Sequence, residues 1–316
     1  MLYAACDIGG TNTQAALIDN QGKISLSIKR PTRQESAKAL LDGAERILAE
    51  LFETGGTDPA GLSGLGVGVA GVIDAVTGSV IYAPNLPLKN IQVTARLAKR
   101  FGVPVILEND STMAMLGETS FGAGKGAKNI AMMTIGTGIG GGFLCDGKPV
   151  RGARGAAGEI GHMVIDINGP KCRCGRQGCL EALAAGPAIA ARARAILIKT
   201  PEPGYLMRLT GGDPKKITGE MVAKAAADGD PAAIRVMEET GRFIAAGCAN
   251  IINLFDPQKV ILGGGVMEGG ELLLASVRRA LKETRLTSAF KADDIVPAAL
   301  GNQAGLAGAA ALFGQR

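Results

Sequence analysis

The chain lacks tryptophan and has three tyrosines, eight phenylalanines and one histidine in 316 residues. A single histidine, His162 in Glu-Ile-Gly-His-Met, excludes H-E-x-x-H zinc sites, C2H2 fingers and the kinase H-R-D loop, each of which needs histidine in another context. Scarce aromatics also weigh against a nucleic-acid partner, since there is little to stack on bases. The net charge of +5 comes from 34 basic and 29 acidic residues with no run of five or six like charges. A mildly basic surface around an anionic small-molecule substrate explains that balance as well as a nucleic acid would. No secretory signal is visible, because Asp7 interrupts the apolar N-terminal stretch. The uncharged run Asn129 to Cys145 falls short of the ~20 residues of a membrane span and holds five glycines. It reads as a buried strand pair, so no membrane partner is expected and the protein is taken as cytoplasmic.

Glycine, by contrast, is abundant, with 47 residues. There is no G-X-Y period and proline numbers only 14, so collagen and low-complexity readings fail and the glycines belong at specific turns. The length and 47% hydrophobic content suit two globular domains.

Three strands are expected at Leu2–Ile8, Thr13–Asp19 and Lys23–Ile28, then an amphipathic helix through Leu40, Leu41, Ala44, Ile47, Leu48, Leu51 and Phe52. Leu65–Ala70 reads as a strand, Ile91–Phe101 as a helix and Val103–Leu107 as a strand leading into Glu108-Asn109-Asp110. The βββαβαβα order predicts an α/β fold with a mixed sheet. Lys125–Lys128 reads as a crossing point. Thr200–Pro214 reads as a long loop, Pro231–Phe255 as a long buried helix, Gln258–Leu262 as a strand ending in Gly263-Gly264-Gly265, and Asn302–Phe313 as the last helix.

Asp7-Ile-Gly-Gly-Thr11, a strand and Asp19-Asn-Gln-Gly-Lys23 are echoed by Thr134-Ile-Gly-Thr-Gly138, a strand and Asp146-Gly-Lys148. The echo indicates duplicated domains facing each other across a cleft; two unrelated glycine hairpins are the alternative. Gly66-x-Gly68-x-x-Gly71 and Gly136-x-Gly138-x-x-Gly141 match a dinucleotide fingerprint, yet both run into strand-like residues where that motif needs a helix. What remains is a turn whose backbone N–H groups can hold phosphate oxygens, with Asp7 able to hold Mg2+ through water. Purely structural hairpins are the competing account.

His162, Cys172, Cys174 and Cys179 form H-x9-C-x-C-x4-C, a closed set of one imidazole and three thiolates that suits structural zinc. A redox pair would need neither the third cysteine nor the histidine. Glu159 and Glu181 flank the loop, which disfavours phosphate backbones and suits hydrogen bonding to hydroxyls.

These residues together resemble the ROK family of bacterial sugar kinases, transcriptional repressors and related open reading frames. The resemblance rests on Glu159-Ile-Gly-His162, Cys172-x-Cys174-Gly175-x-x-Gly178-Cys179-x-Glu181, Asp7-Ile-Gly-Gly-Thr11 and Glu108-Asn109-Asp110, and extends to Leu262–Gly265 and Gly301–Phe313. It implies the actin-like ATPase, or ribonuclease-H-like, fold of two facing α/β domains, with residues 1–112 plus 301–316 as one and 113–300, carrying the adenosine site, as the other. It implies an ATP-dependent hexose kinase of the glucokinase kind, with N-acetylhexosamine kinases and a catalytically silent sugar-binding regulator as alternatives. Asp110 would be the general base at a strand end; helix capping by Asp110 or Ser111, with a helix beginning near Met113, is the competing role. Asn109, Glu159, His162, Glu181, Gly71 and Asn85 would bind sugar. Asp7, Gly9, Gly10, Thr11, Asn12, Thr137, Gly138, Gly263, Gly264 and Gly265 would hold ATP and Mg2+. Asn12 stands where many members carry lysine, which removes a charged phosphate contact and argues against polyphosphate as donor. The repressors' helix-turn-helix has no room before a strand beginning at residue 2, and a homodimer or homotetramer is expected.

Overall fold

The computed structural model describes residues 1–197, 204–284, 286 and 288–314. Two units make up the chain: Met1–Gly126 with Gly142–Gly158 and Gln303–Arg316, and Ala127–Gly141 with Glu159–Asn302.

In the first unit, β1 (Leu2–Ile8) and β2 (Asn12–Asp19) form an antiparallel hairpin in which Ile8 faces Thr13, and β3 (Ile24–Pro31) extends it at the edge. β1 is central and buries Ala4, Ala5, Cys6 and Ile8, whereas β3 alternates partly buried with exposed residues, as an edge strand should. α1 (Ala37–Thr54) starts where the Ser36 side chain accepts the Ala39 N–H, and its buried residues are the seven of the expected stripe. β4 (Gly64–Val69) pairs in parallel with β1.

β5 (Val72–Asp74), β6 (Ser79–Tyr82) and β7 (Lys89–Gln92) build a separate three-stranded sheet. Ile91 lies in β7, so α2 (Thr94–Phe101) starts three residues later than the periodicity predicts. β8 (Val105–Asn109) pairs in parallel with β4 and completes the order β3-β2-β1-β4-β8.

α3 (Asp110–Phe121) begins at Asp110, not near Met113. The expected division at residue 112 would cut this helix; residues 113–126 stay with the first unit, whose segment ends at Gly126, within the anticipated crossing.

The second unit opens with β9 (Ile130–Ile135) and β10 (Ile139–Cys145), the latter running past Gly141 into the first unit's share of the chain, where β11 (Lys148–Pro149) follows. Then come α4 (Leu180–Ala184), α5 (Gly186–Leu197), α6 (Tyr205–Leu209), α7 (Gly219–Ala227) and α8 (Pro231–Phe255). α8 is entered by an Asp230 cap and a proline in its first turn. β12 (Lys259–Gly263), α9 (Glu271–Lys282) and β13 (Ile295–Pro297) follow, and α10 (Ala304–Gly314) returns to the first unit. Of the loop expected at Thr200–Pro214, residues 200–203 lie outside the described residues and 205–209 form α6 instead.

The sheet β11-β10-β9-β12-β13 repeats the strand order of the first: an antiparallel hairpin, then two parallel strands beside its first member. Shared topology agrees with duplication better than with two unrelated hairpins.

Many glycines serve packing. A Cβ on Gly308 would lie 1.8 Å from the Met113 carbonyl oxygen, one on Gly117 2.2 Å from that of Ala304, and one on Gly66 2.5 Å from the Ala309 Cβ. Gly66 therefore lies in a strand, β4, on which α10 seats, and α3 and α10 approach closely because Gly117 of one and Gly308 of the other carry no side chain where they meet the opposite backbone.

Candidate active site and metal centre

Asp7 is the penultimate residue of β1, just before the turn Gly9-Gly10-Thr11 that leads into Asn12 of β2. The Gly9 N–H donates to the Asn12 carbonyl at 3.0 Å, and a Cβ on Gly9 would meet that oxygen at the same distance. The turn's own carbonyls are engaged: Thr32 donates its hydroxyl to Gly9 at 2.7 Å and its N–H to Thr11 at 2.9 Å, while the Gln34 amide donates to Gly10. Asn85 lies beside Gly10, its Cβ 3.6 Å from where a Gly10 Cβ would be. Burial, and then the neighbouring Asp110 carboxylate, push the Asp7 carboxyl up to about 7, the condition a divalent cation would relieve.

At the end of β8, Asn109 rather than Asp110 or Ser111 caps α3: its Oδ1 accepts the N–H groups of Ser111 at 3.0 Å and Thr112 at 3.1 Å. Its amide donates to the Gly71 carbonyl at 3.2 Å, which leaves one of its two N–H donors for a ligand hydroxyl. Capping by Asn109 frees Asp110 for chemistry. The Asp110 carboxyl is raised above the usual carboxylate range by burial, opposed by the Ser111 N–H donating to Oδ1 at 2.8 Å. Asp7, Gly9–Asn12, Asn85, Gly71, Asn109 and Asp110 are thus all placed in the first unit.

The second unit holds the echoing turn. The Gly136 N–H donates to the Gly138 carbonyl at 2.9 Å, and the Gly186 N–H at the start of α5 donates to the Gly136 carbonyl at 2.8 Å. Thr137 lies between them. A Cβ at position 138 would lie 2.6 Å from Oε2 of Glu181, which accepts the Ile139 N–H at 3.1 Å and would have to shift. Gly263 ends β12, and Gly264, with φ +91°, presses on the backbone of Ile135 just before the turn. Gly265 opens a short 3-10 turn beside Glu220 of α7.

His162 ends the 3-10 turn Ile160–His162, fixed by Gly161 against the Ile139 carbonyl. Nδ1 of His162 and the sulfurs of Cys172, Cys174 and Cys179 lie within 4.8 Å of one another, with Cys172–His162 at 3.7 Å and Cys174–Cys179 at 3.6 Å. Ligands about 2.3 Å from a tetrahedral ion stand about 3.8 Å apart, so the donors fit one. The Arg176 backbone N–H holds the Cys174 thiol down to about 6, while burial pushes Cys179 up to about 12. Three sulfurs this close cannot all ionise without a cation among them. Nε2 of His162 lies 4.0 Å from Glu159, and Oε1 of Glu181 lies 3.9 Å from the Cys172 sulfur.

Sequence reasoning missed four supporting residues: Thr32, Gln34, the buried Glu108 and Arg151, which pairs with Glu108. Only Glu108 carried a signal, its place beside Asn109 and Asp110.

The sequence model of the ROK family matches residues 3–316. A glucokinase of Streptomyces coelicolor is 36% identical over 313 residues, covering 98% of this chain and 97% of that protein. The crystal structure of a ROK family glucokinase from Streptomyces griseus, in complex with glucose and AMPPNP, matches with a TM-score of 0.89 at 36% identity, covering 99% of each chain. A ROK family transcriptional regulator matches with a TM-score of 0.87 at 28% identity, over 99% of this chain and 78% of that one.

Proposed function

The chain belongs to the ROK family, and we propose that it is an ATP-dependent glucokinase that transfers the γ-phosphoryl group to the 6-hydroxyl of glucose. The observation that carries the reading is Asp110: a carboxylate of raised pKa, released from capping by Asn109 and set at the start of α3. A binding-only regulator needs no such base.

Asn109, Glu159, His162 and Glu181, with the backbone at Gly71 and the Asn85 side chain, are the proposed hydroxyl partners. Asp110 accepts the proton of the 6-hydroxyl as that oxygen bonds to the γ-phosphorus. The bond from the γ-phosphorus to its bridging oxygen breaks, and the electron pair leaves with ADP. The turns at Gly9–Asn12 and Thr137–Gly138 offer backbone N–H groups to the phosphates, and Gly263–Gly265 serve the nucleotide. Engagement of the Gly9, Gly10 and Thr11 carbonyls supports this, since it turns acceptors away from an anion. Mg2+, held by Asp7 through water, would neutralise phosphate charge.

Zinc is the ion assigned to His162, Cys172, Cys174 and Cys179. It would orient the imidazole and leave no ligand position open for chemistry. Thiolate ligation and ATP consumption both fit a cytoplasmic protein.

The deciding experiment measures ADP release with ATP and glucose, mannose, fructose, allose, N-acetylglucosamine or N-acetylmannosamine. Fastest turnover with glucose is expected. Preference for an N-acetylated sugar would reassign the substrate, and sugar binding without ADP release would make the protein a regulator.

A further inference from the structure

Glu108 is a carboxylate with 1% exposure set directly before the two residues on which the proposed chemistry depends. Its oxygens have separate duties. Oε1 accepts the backbone N–H of Asn109 at 3.0 Å; Oε2 accepts from Arg151, whose Nε lies at 2.8 Å and terminal nitrogen at 2.6 Å. A carboxylate so enclosed and so spent has no means of reaching a sugar. Its pairing instead fixes the backbone at the point where β8 becomes α3.

Arg151 also governs its own segment. The Ala157 N–H donates to the Arg151 carbonyl at 3.1 Å, closing the loop that leads directly to Glu159 and His162. Gly155, with φ +68°, lies against the Ile73 carbonyl so closely that a Cβ would come within 1.9 Å. The loop is therefore pinned at its start by the ion pair and at its middle by backbone contact.

We propose that Arg151, acting through Glu108, is a positioning residue for sugar binding: it holds Asn109 and Asp110 in register. The proposal rests on the reading of Asn109 as a sugar ligand and Asp110 as the base. Glu108 is buried while the Arg151 side chain is 37% exposed, so loss of the arginine leaves the buried carboxylate uncompensated and the effect concentrates at Glu108 and the residue bonded to it. Lysine in place of arginine keeps the charge but not the two-pronged contact.

The test compares wild type, Arg151→Met and Arg151→Lys. Arg151→Met is expected to raise the glucose KM roughly tenfold or more, as loss of a charged hydrogen bond does, with the ATP KM unchanged. Arg151→Lys, which keeps a cation opposite Glu108 and so protects folding, should fall between. Amide hydrogen exchange of the sugar-free protein should quicken across residues 105–112 in Arg151→Met and stay constant across 40–52. A glucose KM within twofold of wild type, or glucose and ATP KM rising together, overturns the proposal; so does unchanged exchange at Asn109. If wild type itself releases no ADP with any hexose, it is the kinase reading that fails, and the exchange data alone then decide whether Arg151 orders Asn109.

Discussion

Oε2 of Glu181 accepts the backbone N–H of Ile139 at 3.1 Å and occupies the space that a side chain at Gly138 would need. Its other oxygen faces the Cys172 thiol at 3.9 Å. One carboxylate thus joins the second glycine turn to the cysteine loop, within a segment that begins at Cys179 and ends where Gly186 holds the Gly136 carbonyl. Gly138→Ala places a methyl 2.6 Å from that oxygen and must displace it. Loss of a hydrogen bond to a charged group predicts a rise of about tenfold or more in the KM for ATP, and for glucose alongside it if Glu181 is the sugar ligand proposed above. Initial rates with each substrate varied in turn check this; a change confined to ATP would mean that Glu181 does not touch the sugar.

Asp110→Asn should lower kcat by ~10²–10⁴, the usual range for a general base, while glucose affinity changes little. The α3 cap is Asn109, so the substitution leaves the helix start intact and stability near wild type. Turnover and equilibrium glucose titration on the same preparation separate the two effects. Near-normal turnover would remove Asp110 from the mechanism.

Two half-buried carboxyls predict a distinctive pH response. Asp7 has its pKa raised from 3.8 to about 7, first by burial and then by Asp110. The folded state therefore binds this proton more tightly than the unfolded chain does. The stability it contributes is fully present below pH 3.8 and is lost as the pH rises through about 7. Asp7→Asn cannot titrate, so its thermal midpoint should gain on wild type between about pH 4 and pH 7, and added Mg2+ should restore the wild type alone. Parallel midpoint curves for the two proteins would show that Asp7 carries no such burden. In activity, kcat/KM should fall on the acid side at a pH above the ordinary carboxylate range, because burial raises Asp110 and the base must be ionised.

Local periodicity made much of this architecture legible. The α1 stripe from Leu40 to Phe52 and the bounds of α8 follow from apolar spacing and capping residues, which are properties of neighbours in sequence. The echo of the two glycine turns foresaw two sheets of one topology. Periodicity failed where tertiary pairing competes: Ile91 fits the helical stripe, yet it pairs with Val80 in the small sheet. Asp110 and Ser111 are good capping residues, but Asn109 took that role, and only the chain path into α3 decides among three adjacent candidates. Arg151 was illegible because its partner lies 43 residues away and arginines elsewhere in the chain look the same. The expectation that the glycines belong at turns fails at 66, 117 and 308, because composition cannot distinguish a turn from a close packing contact.

Cys174 is the exposed member of the four-ligand group, so Cys174→Ser removes one donor with little disturbance of the core. Metal content should fall, and with it thermal stability, because the loop from Cys172 to Cys179 has few apolar residues to order it. The kinetic consequence runs through His162. Its Nδ1 faces the sulfurs, which fixes the ring and leaves Nε2 toward Glu159 at 4.0 Å. Without the ion the ring is free to turn, and the glucose KM should rise by about tenfold or more, the scale on which residues that orient a metal-bound group act. Metal analysis and glucose kinetics on one preparation test the chain of cause. A protein that has lost its metal and keeps its glucose KM would show that the cysteine loop stabilises the second unit without helping to bind sugar.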